Sequence, residues 1–159
     1  MDYLYFNPDG TIQMVTPTLR GVGITKANSL IQIDRYSNKS DQYVAVDFVN
    51  SEYTFDGWKA ILWNTTQEKE PRWISYDRVD FGQDKLNTAT IRVHSLAGGK
   101  IELRADSLEG PVLATFNVPG DQVWAERSVQ VSESVKGVHD LYLLMTDGNH
   151  VEVDWVNFK

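Results

Sequence analysis

The sequence predicts an all-β fold, a β-sandwich of the jelly-roll type made of antiparallel sheets. Short strand-like runs recur at near-regular intervals along the chain. Turn-forming segments separate them, for example Pro119-Gly120-Asp121 and Asp147-Gly148-Asn149. No long stretch shows the 3.6-residue apolar period of a helix. Many short strands separated by turns are typical of sandwiches and jelly rolls.

The expected strands are rich in β-branched, aliphatic and aromatic residues, which favour an extended backbone. Their lengths between turn signals fit strands better than helices. In chain order the expected strands are Leu30 to Tyr36, Tyr43 to Val49, Trp73 to Phe81, Thr88 to His94, Lys100 to Ala105, Val112 to Val118, Trp124 to Val131, His139 to Met145 and His150 to Phe158.

Polar side chains alternate with apolar ones in the last two of these runs. Asp140 lies in the first of them, and Glu152, Asp154 and Asn157 lie in the second. Carboxylates interleaved with apolar residues are unusual for a plain surface strand. They predict a strand edge that places negative charge beside a cation or a polar ligand.

Composition limits the class of partner. A chain of 159 residues fits one domain with a sizeable core. The net charge of -7 and the pI near 4.9 disfavour nucleic acid and anionic membranes, because both attract basic proteins. A neutral ligand or a cation is expected instead. The absence of cysteine excludes disulfides, thiolate nucleophiles and cysteine-based zinc sites. No run approaches a transmembrane span, and Met1 to Phe6 lacks the features of a signal peptide.

The first residues form a separate unit in this interpretation. Tyr3 to Phe6 and Thr11 to Val15 flank the turn Asn7-Pro8-Asp9-Gly10, which predicts a small hairpin. We therefore divide the chain into a leader, residues 1–22, and a sandwich, residues 23–159. A lone hairpin is marginal in water, so the leader must pack on the sandwich or on a domain missing from this chain.

An ordered series of segments resembles the family 6 carbohydrate-binding modules from about Gly23 onward. The segments are Trp73-Ile74-Ser75-Tyr76, Val79-Asp80-Phe81-Gly82, Gly98-Gly99-Lys100-Ile101-Glu102-Leu103-Arg104, Asp106-Ser107-Leu108-Glu109-Gly110-Pro111, Gly137-Val138-His139-Asp140-Leu141-Tyr142-Leu143 and Val153-Asp154-Trp155. The leader is similar to the last hairpin of a family 43 glycoside hydrolase, and its details resemble arabinoxylan arabinofuranohydrolases. The resemblance implies an extracellular, monomeric binding module that follows a catalytic domain.

The resemblance also implies a sugar site in the loops. Trp124 aligns with the tryptophan of the family's sugar cleft and Trp58 with its aromatic partner, and such rings stack on the C–H face of a sugar. The alternative is that both tryptophans lie in the core. Glu152 stands where the family has an asparagine, so this position accepts hydrogen bonds but cannot donate them, and Asn149 could substitute. Trp63, in a long polar stretch, could extend the cleft or block it.

Trp73 and Trp155 occupy strand positions and are expected in the core.

A structural calcium ion is the cofactor that the resemblance implies. Its ligands would be Gln32 and Asp34 on the first strand and Asp154 on the last, together with backbone carbonyls. An all-oxygen set with two carboxylates suits Ca²⁺ rather than zinc. The alternatives are a solvated edge or a salt bridge to Arg35 or Arg104.

The sequence gives no sign of a catalytic site. Its carboxylates show no pattern that would bring two of them together as in a glycosidase, and its histidines lack metal-ligand spacing. We therefore expect a non-catalytic module that holds a parent hydrolase on plant cell-wall polysaccharide, above all xylan, arabinoxylan or xylo-oligosaccharides. The alternatives are a structural module that packs on the catalytic domain, and a β-glucan binder that uses the concave sheet face.

Overall fold

The structure is a computed structural model, and it describes residues 4–14, 22–41, 43–49, 57–63 and 71–159. Along the chain the strands are β1 (Thr25–Lys26), β2 (Ile31–Gln32), β3 (Asn38–Lys39), β4 (Val44–Phe48), β5 (Trp58–Trp63), β6 (Arg72–Asp80), β7 (Thr88–Ser95), β8 (Gly99–Ala105), β9 (Val112–Val118), β10 (Ala125–Gln130), β11 (Val138–Gly148) and β12 (His150–Phe158).

These strands form two sheets. The first sheet has the order β1-β6-β11-β8-β9, with β3 also paired to β6, and the second has the order β10-β7-β12-β5-β4, with β2 also paired to β12. Every pairing is antiparallel except the short one between β1 and β6. Two packed, mostly antiparallel sheets confirm the predicted β-sandwich.

The core lies between the sheets because each strand presents its apolar residues to the same side. In β7, Ala89, Ile91 and Val93 are buried, while the residues between them are half-buried. Such alternation is the period of a strand with one face on the core. Burying one aliphatic side chain contributes roughly 1.5–3 kcal/mol, so these layers carry most of the stability.

Two sequence expectations about strands are wrong. Leu30 to Tyr36 is not one strand, because β2 is followed directly by a 3₁₀ turn at Ile33–Arg35. The segment Trp58–Trp63, for which the sequence predicts no strand and of which Trp58 is expected in a loop, is a strand between β4 and β12.

The described part of the leader is a hairpin, as expected. Phe6 pairs with Ile12, and Asp9 accepts hydrogen bonds from the backbone and hydroxyl of Thr11 at 2.9 and 2.6 Å. Its apolar side chains Tyr5 and Phe6 are exposed. Within the described ranges, no helix has the length and apolar character needed to cross a membrane.

Candidate functional site

The outer face of the second sheet, which points away from the core, gathers charged and aromatic residues. On β7, Arg92 and His94 are half-buried on this face, while Ile91 and Val93 point into the core. On β12, Glu152 pairs with His94 across the ladder. Because the two strands are neighbours and in register, side chains from both converge on the same patch.

A β-bulge on β12 sets the position of Asp154. Val153 pairs with Val93 and Trp155 pairs with Arg92, so Asp154 is the extra residue between them. The extra residue lets Val153 and Val156 both face the core, where strict alternation would turn Val156 outward. Asp154 is thereby directed to the outer face, with only 3% of its surface exposed.

Trp124 lies over this face, just before β10 begins. Its ring stacks on the His94 ring with centroids 5.5 Å apart and an interplanar angle of 28°. The Arg92 guanidinium carbon lies 5.1 Å from the centroid of the same ring, which is a cation–π contact. Trp124 is half-buried, so it is not a core residue.

Glu152 is the centre of a charged cluster beneath this surface. Lys59 Nζ lies 3.0 Å from Oε2, and the Nδ1 atom of His94 lies 3.4 Å from the same oxygen. His150 Nε2 lies 3.5 Å from Oε1. Glu152 itself is only 7% exposed. A buried carboxylate requires compensating charge, and Lys59 supplies the closest one.

Lys59, Arg92, His94 and His150 were missed by reasoning from the sequence. Their spacing carries no signal, because they come from three strands, and only Arg92 and His94 share one. Only the register between β5, β7 and β12 brings them around Glu152 and Asp154.

Trp58 does not join Trp124 in the described structure. The Trp58 ring stacks on Phe48 of β4, with centroids 4.2 Å apart and an interplanar angle of 25°. Trp124 instead contacts β7, and β12 and β5 lie between β7 and β4 in the sheet order.

Asn149 is exposed in the tight turn between β11 and β12. The backbone of Trp63 pairs with His150, and residues 64–70 lie outside the described part of the chain.

Gln32, Asp34 and Asp154 lie where the first and last strands of the sandwich meet. β2 pairs with β12, with Gln32 opposite Trp155. Gln32 and Asp154 line one open groove of about 440 Å³, together with Leu30, Gly57, Arg92, Glu126 and Trp155. Asp34 is buried in the adjoining 3₁₀ turn.

The two carboxylates influence each other. Burial raises the pKa of Asp34, and the adjacent backbone and Arg35 oppose that shift only in part. Burial also raises the pKa of Asp154, Arg92 lowers it, and the charge of Asp34 raises it again. Arg92 Nη1 donates a hydrogen bond to Asp154 Oδ2. Among the described residues, no ion pair to Asp34 is formed, and no three His, Cys, Asp or Glu side chains are arranged to hold a metal.

The expectation that Trp73 and Trp155 are core residues is wrong. Both are half-buried. Trp155 lines the groove beside Asp154. Trp73 lies on the outer face of the first sheet, 5.7 Å from the ring of Tyr142.

Comparisons with known proteins agree with the family resemblance of the sequence. A family model described as carbohydrate binding module (family 6) matches residues 49–159. The arabinoxylan arabinofuranohydrolase of Bacillus subtilis (strain 168) is 30% identical over 161 residues, covering 98% of this chain and 31% of that protein.

Two solved structures are similar in fold. A family 43 arabinoxylan arabinofuranohydrolase from Bacillus subtilis, in complex with cellotetraose, has a TM-score of 0.71 at 26% identity and covers 99% of this chain and 33% of that one. A family 6 module from Clostridium cellulolyticum, in complex with xylose, has a TM-score of 0.68 at 28% identity and covers 85% of this chain and 99% of that one.

The chain therefore spans about a third of the two enzymes and matches nearly the whole of the isolated module. The family match covers well over half of the chain and includes strands β5 to β12 of the sandwich. The chain belongs to the family 6 carbohydrate-binding modules, which bind carbohydrates and are not catalytic.

Proposed function

We propose that this module binds xylan, arabinoxylan or xylo-oligosaccharides through the surface formed by Trp124 and Glu152. The observation that carries the proposal is that Trp124 is held by His94 and Arg92 directly beside the buried Glu152–Lys59 pair. A flat ring next to hydrogen-bonding charges is what a sugar requires, because pyranoses have both an apolar face and hydroxyl groups.

The two parts of the surface contribute differently. Covering the exposed part of the half-buried Trp124 ring with one sugar contributes roughly 1–2 kcal/mol. Glu152 accepts hydrogen bonds from hydroxyls, and Lys59 can donate one. The named substrate of the similar Bacillus subtilis enzyme and the xylose bound to the similar Clostridium cellulolyticum module support a xylan-type ligand.

A second aromatic residue would complete a clamp around the sugar. Trp58 is the residue that the family resemblance suggests, but its ring stacks on the ring of Phe48. Trp63 is the alternative, because its backbone pairs with His150 at the end of the sheet that carries Glu152. Exposed Asn149, next to His150, adds an amide at the same end.

Native affinity electrophoresis in gels with soluble arabinoxylan, xylan, β-glucan or no polymer tests the proposal. We expect the xylans to retard the wild type and Trp58→Ala, and to lose most of their effect on Trp124→Ala. Trp63→Ala should weaken retardation if that ring is the second half of the clamp. Trp73→Ala, on the opposite sheet, is the matched control. Full retardation of Trp124→Ala would contradict the proposed site.

We also propose that the module binds structural calcium at Gln32, Asp34 and Asp154. The residues fit such an ion for two reasons. Asp34 is buried without an ion pair among the described residues, and its negative charge repels that of Asp154. Carboxylate and amide oxygens are the ligands that Ca²⁺ prefers. The ion would neutralise both carboxylates and hold the start of the sandwich to β12.

In the parent protein, we infer an extracellular enzyme whose catalytic domain precedes this module. Residues 1–22 would then belong to that domain, which agrees with the exposed apolar side chains of the hairpin and with the 98% of this chain that matches the Bacillus subtilis enzyme. The module would act by proximity, since binding the polymer raises the local substrate concentration. If no polymer retards the wild type, a structural role beside the catalytic domain becomes the better account.

A second candidate function is β-glucan binding on the outer face of the first sheet. Trp73 and Tyr142 lie 5.7 Å apart there, and Arg104 is opposite Tyr142 in the ladder. Retardation by β-glucan that is lost in Trp73→Ala and kept in Trp124→Ala would establish this face instead.

A further inference from the structure

Arg92 touches both the carboxylate set proposed for calcium and the tryptophan proposed for sugar. Its Nη1 atom donates to Asp154 Oδ2, and its guanidinium carbon lies 5.1 Å from the centroid of the Trp124 ring. One half-buried side chain therefore links two sites that the sequence gives no reason to connect.

The two oxygens of Asp154 have different surroundings. Oδ2 accepts the hydrogen bond from Arg92. Oδ1 faces Gly57, where an added Cβ would lie 3.4 Å away, and it accepts no hydrogen bond from the described residues. Asp154 can thus hold Arg92 through one oxygen and a cation through the other.

The local charge permits Arg92 and a divalent cation to be neighbours. Asp34 and Asp154 supply two negative charges, and Glu126 supplies a third, since it pairs with Arg92 across the β10–β7 ladder and lines the same groove. Without a cation, Asp154 is repelled by Asp34, and among the described residues only Arg92 forms an ion pair with its carboxylate.

We propose that Arg92 is a positioning residue that couples cation binding at Asp34 and Asp154 to the orientation of Trp124, and so to sugar affinity. A cation held by Asp34 and Asp154 would fix the Asp154 carboxylate, and Arg92, which is bonded to Oδ2, would then be fixed against the Trp124 ring. Arg92 itself does not touch the sugar. This inference rests on the proposed sugar site and on the proposed calcium site.

Thermodynamic linkage makes the coupling measurable from both sides. Calcium should tighten sugar binding by about fivefold or more, and sugar should tighten calcium binding by the same factor. The probes are calcium chloride and xylohexaose, each titrated by calorimetry in the presence and absence of the other, on the full chain.

Arg92→Met removes the charge and keeps the stem, so it should still bind calcium while the coupling factor falls to about one. Arg92→Lys keeps a charge near the ring without the planar fork and should restore only part of the coupling. Arg104→Met is the matched control, because Arg104 forms a similar half-buried pair with Glu102 on the other sheet. Its coupling factor should equal that of the wild type.

A readout without sugar separates coupling from a general loss of fold. Calcium should change the near-ultraviolet circular dichroism of the wild type, and the change should be absent in Trp124→Phe and in Arg92→Met. Wild-type protein that binds both ligands independently, or Arg92→Met with full coupling, would overturn this inference alone. Wild-type protein that binds no sugar at all would overturn the proposed function and this coupling with it.

Discussion

Glu152 occupies a position where the family resemblance leads one to expect an asparagine, and in the proposed sugar site its neighbours compensate for the difference. An amide both donates and accepts hydrogen bonds, whereas an ionised carboxylate only accepts. Lys59, 3.0 Å away, restores a donor at the same spot. If the proposed site binds sugar, the pair as a whole offers it the same two kinds of hydrogen-bonding partner that an asparagine would.

Replacing Lys59 by Met should lower the stability of the fold, because it removes the positive charge beside buried Glu152. The change leaves Glu152 nearly buried, and among the described residues only His94 and His150 then lie at ion-pair distance. We therefore expect a loss of about 2 kcal/mol in the free energy of unfolding. Urea denaturation at pH 7 measures it. Lys100→Met is the control, because Lys100 is 41% exposed in its pair with Glu102 and should cost under about 1 kcal/mol. Equal losses in the two variants would contradict this account.

His139 provides a pH dependence whose sign follows from its contacts. A hydrogen bond to Asp106 raises the pKa of His139, and burial opposes that effect only in part. Its other ring nitrogen lies 3.0 Å from the carbonyl oxygen of Lys136, so both nitrogens face acceptors and the imidazolium form is favoured. The stabilisation is therefore complete below the ordinary pKa of 6.5 and is lost as pH rises through the raised value.

His139→Gln should accordingly cost more stability at pH 5.5 than at pH 8.5. Urea denaturation of wild type and variant at both pH values gives the comparison. If the difference in free energy of unfolding between wild type and variant is the same at both pH values, or larger at pH 8.5, His139 is not charged in the native state as assigned.

At the scale of elements, the β12 bulge keeps the apolar residues of that strand in the core and places a carboxylate on its outer face. Four residues of β12 face the core: Val151, Val153, Val156 and Phe158. Strict alternation needs an even number of positions between them, but Val156 follows Val153 by three. One extra residue absorbs the change, and that residue is Asp154. The bulge thus provides the carboxylate and keeps the core intact at once.

Deleting Asp154 should therefore be tolerated, because a regular strand would keep the same side chains in the core. We expect a folded protein that is less stable by about 1–3 kcal/mol and has lost its response to calcium. Deleting Val153 is the matched comparison, since it removes a core side chain and directs Asp154 toward the interior, where an unpaired carboxylate is costly. Thermal melts followed by circular dichroism should show a cooperative transition only for the first deletion.

The elements also show where sequence reasoning succeeds and where it stops. The bounds of β9 and β12 agree with the prediction because each has a turn signal on one side and a clear apolar pattern. The strand Trp58–Trp63 was missed because a long polar stretch follows it in the sequence and its own apolar residues do not alternate with polar ones. The cluster around Glu152 could not be derived, since it depends on which strands are neighbours and in which register.

On the scale of the whole molecule, the pairing of β2 with β12 joins residues that are far apart in sequence. A cation held by Asp34 and Asp154 would reinforce this closure, and a ligand that binds only the folded state stabilises it by mass action. Calcium at 100 times its Kd would contribute about 2.7 kcal/mol, which corresponds to a rise in Tm of about 5–10 °C.

Calorimetric melts in calcium and in chelator test this prediction. The rise in Tm should disappear in Asp34→Asn. Asp47→Asn should retain it, because among the described residues the Asp47 carboxylate accepts a hydrogen bond only from the neighbouring Phe48 amide, on edge strand β4. A rise in Tm that Asp34→Asn keeps in full would place the ion elsewhere.

The position of β12 in the middle of the second sheet has a consequence for biosynthesis. β5 and β7 both pair with β12, which is made after every other described strand, so neither neighbour can complete its ladder on the ribosome until β12 has emerged. Most contacts in the sandwich are long-range in sequence, and such topologies fold slowly. β5 can pair with β4, and β7 with β10, before that point, but the edge of each that faces β12 stays open until β12 is made. The unfinished chain, rather than the finished one, is therefore the form most exposed to aggregation.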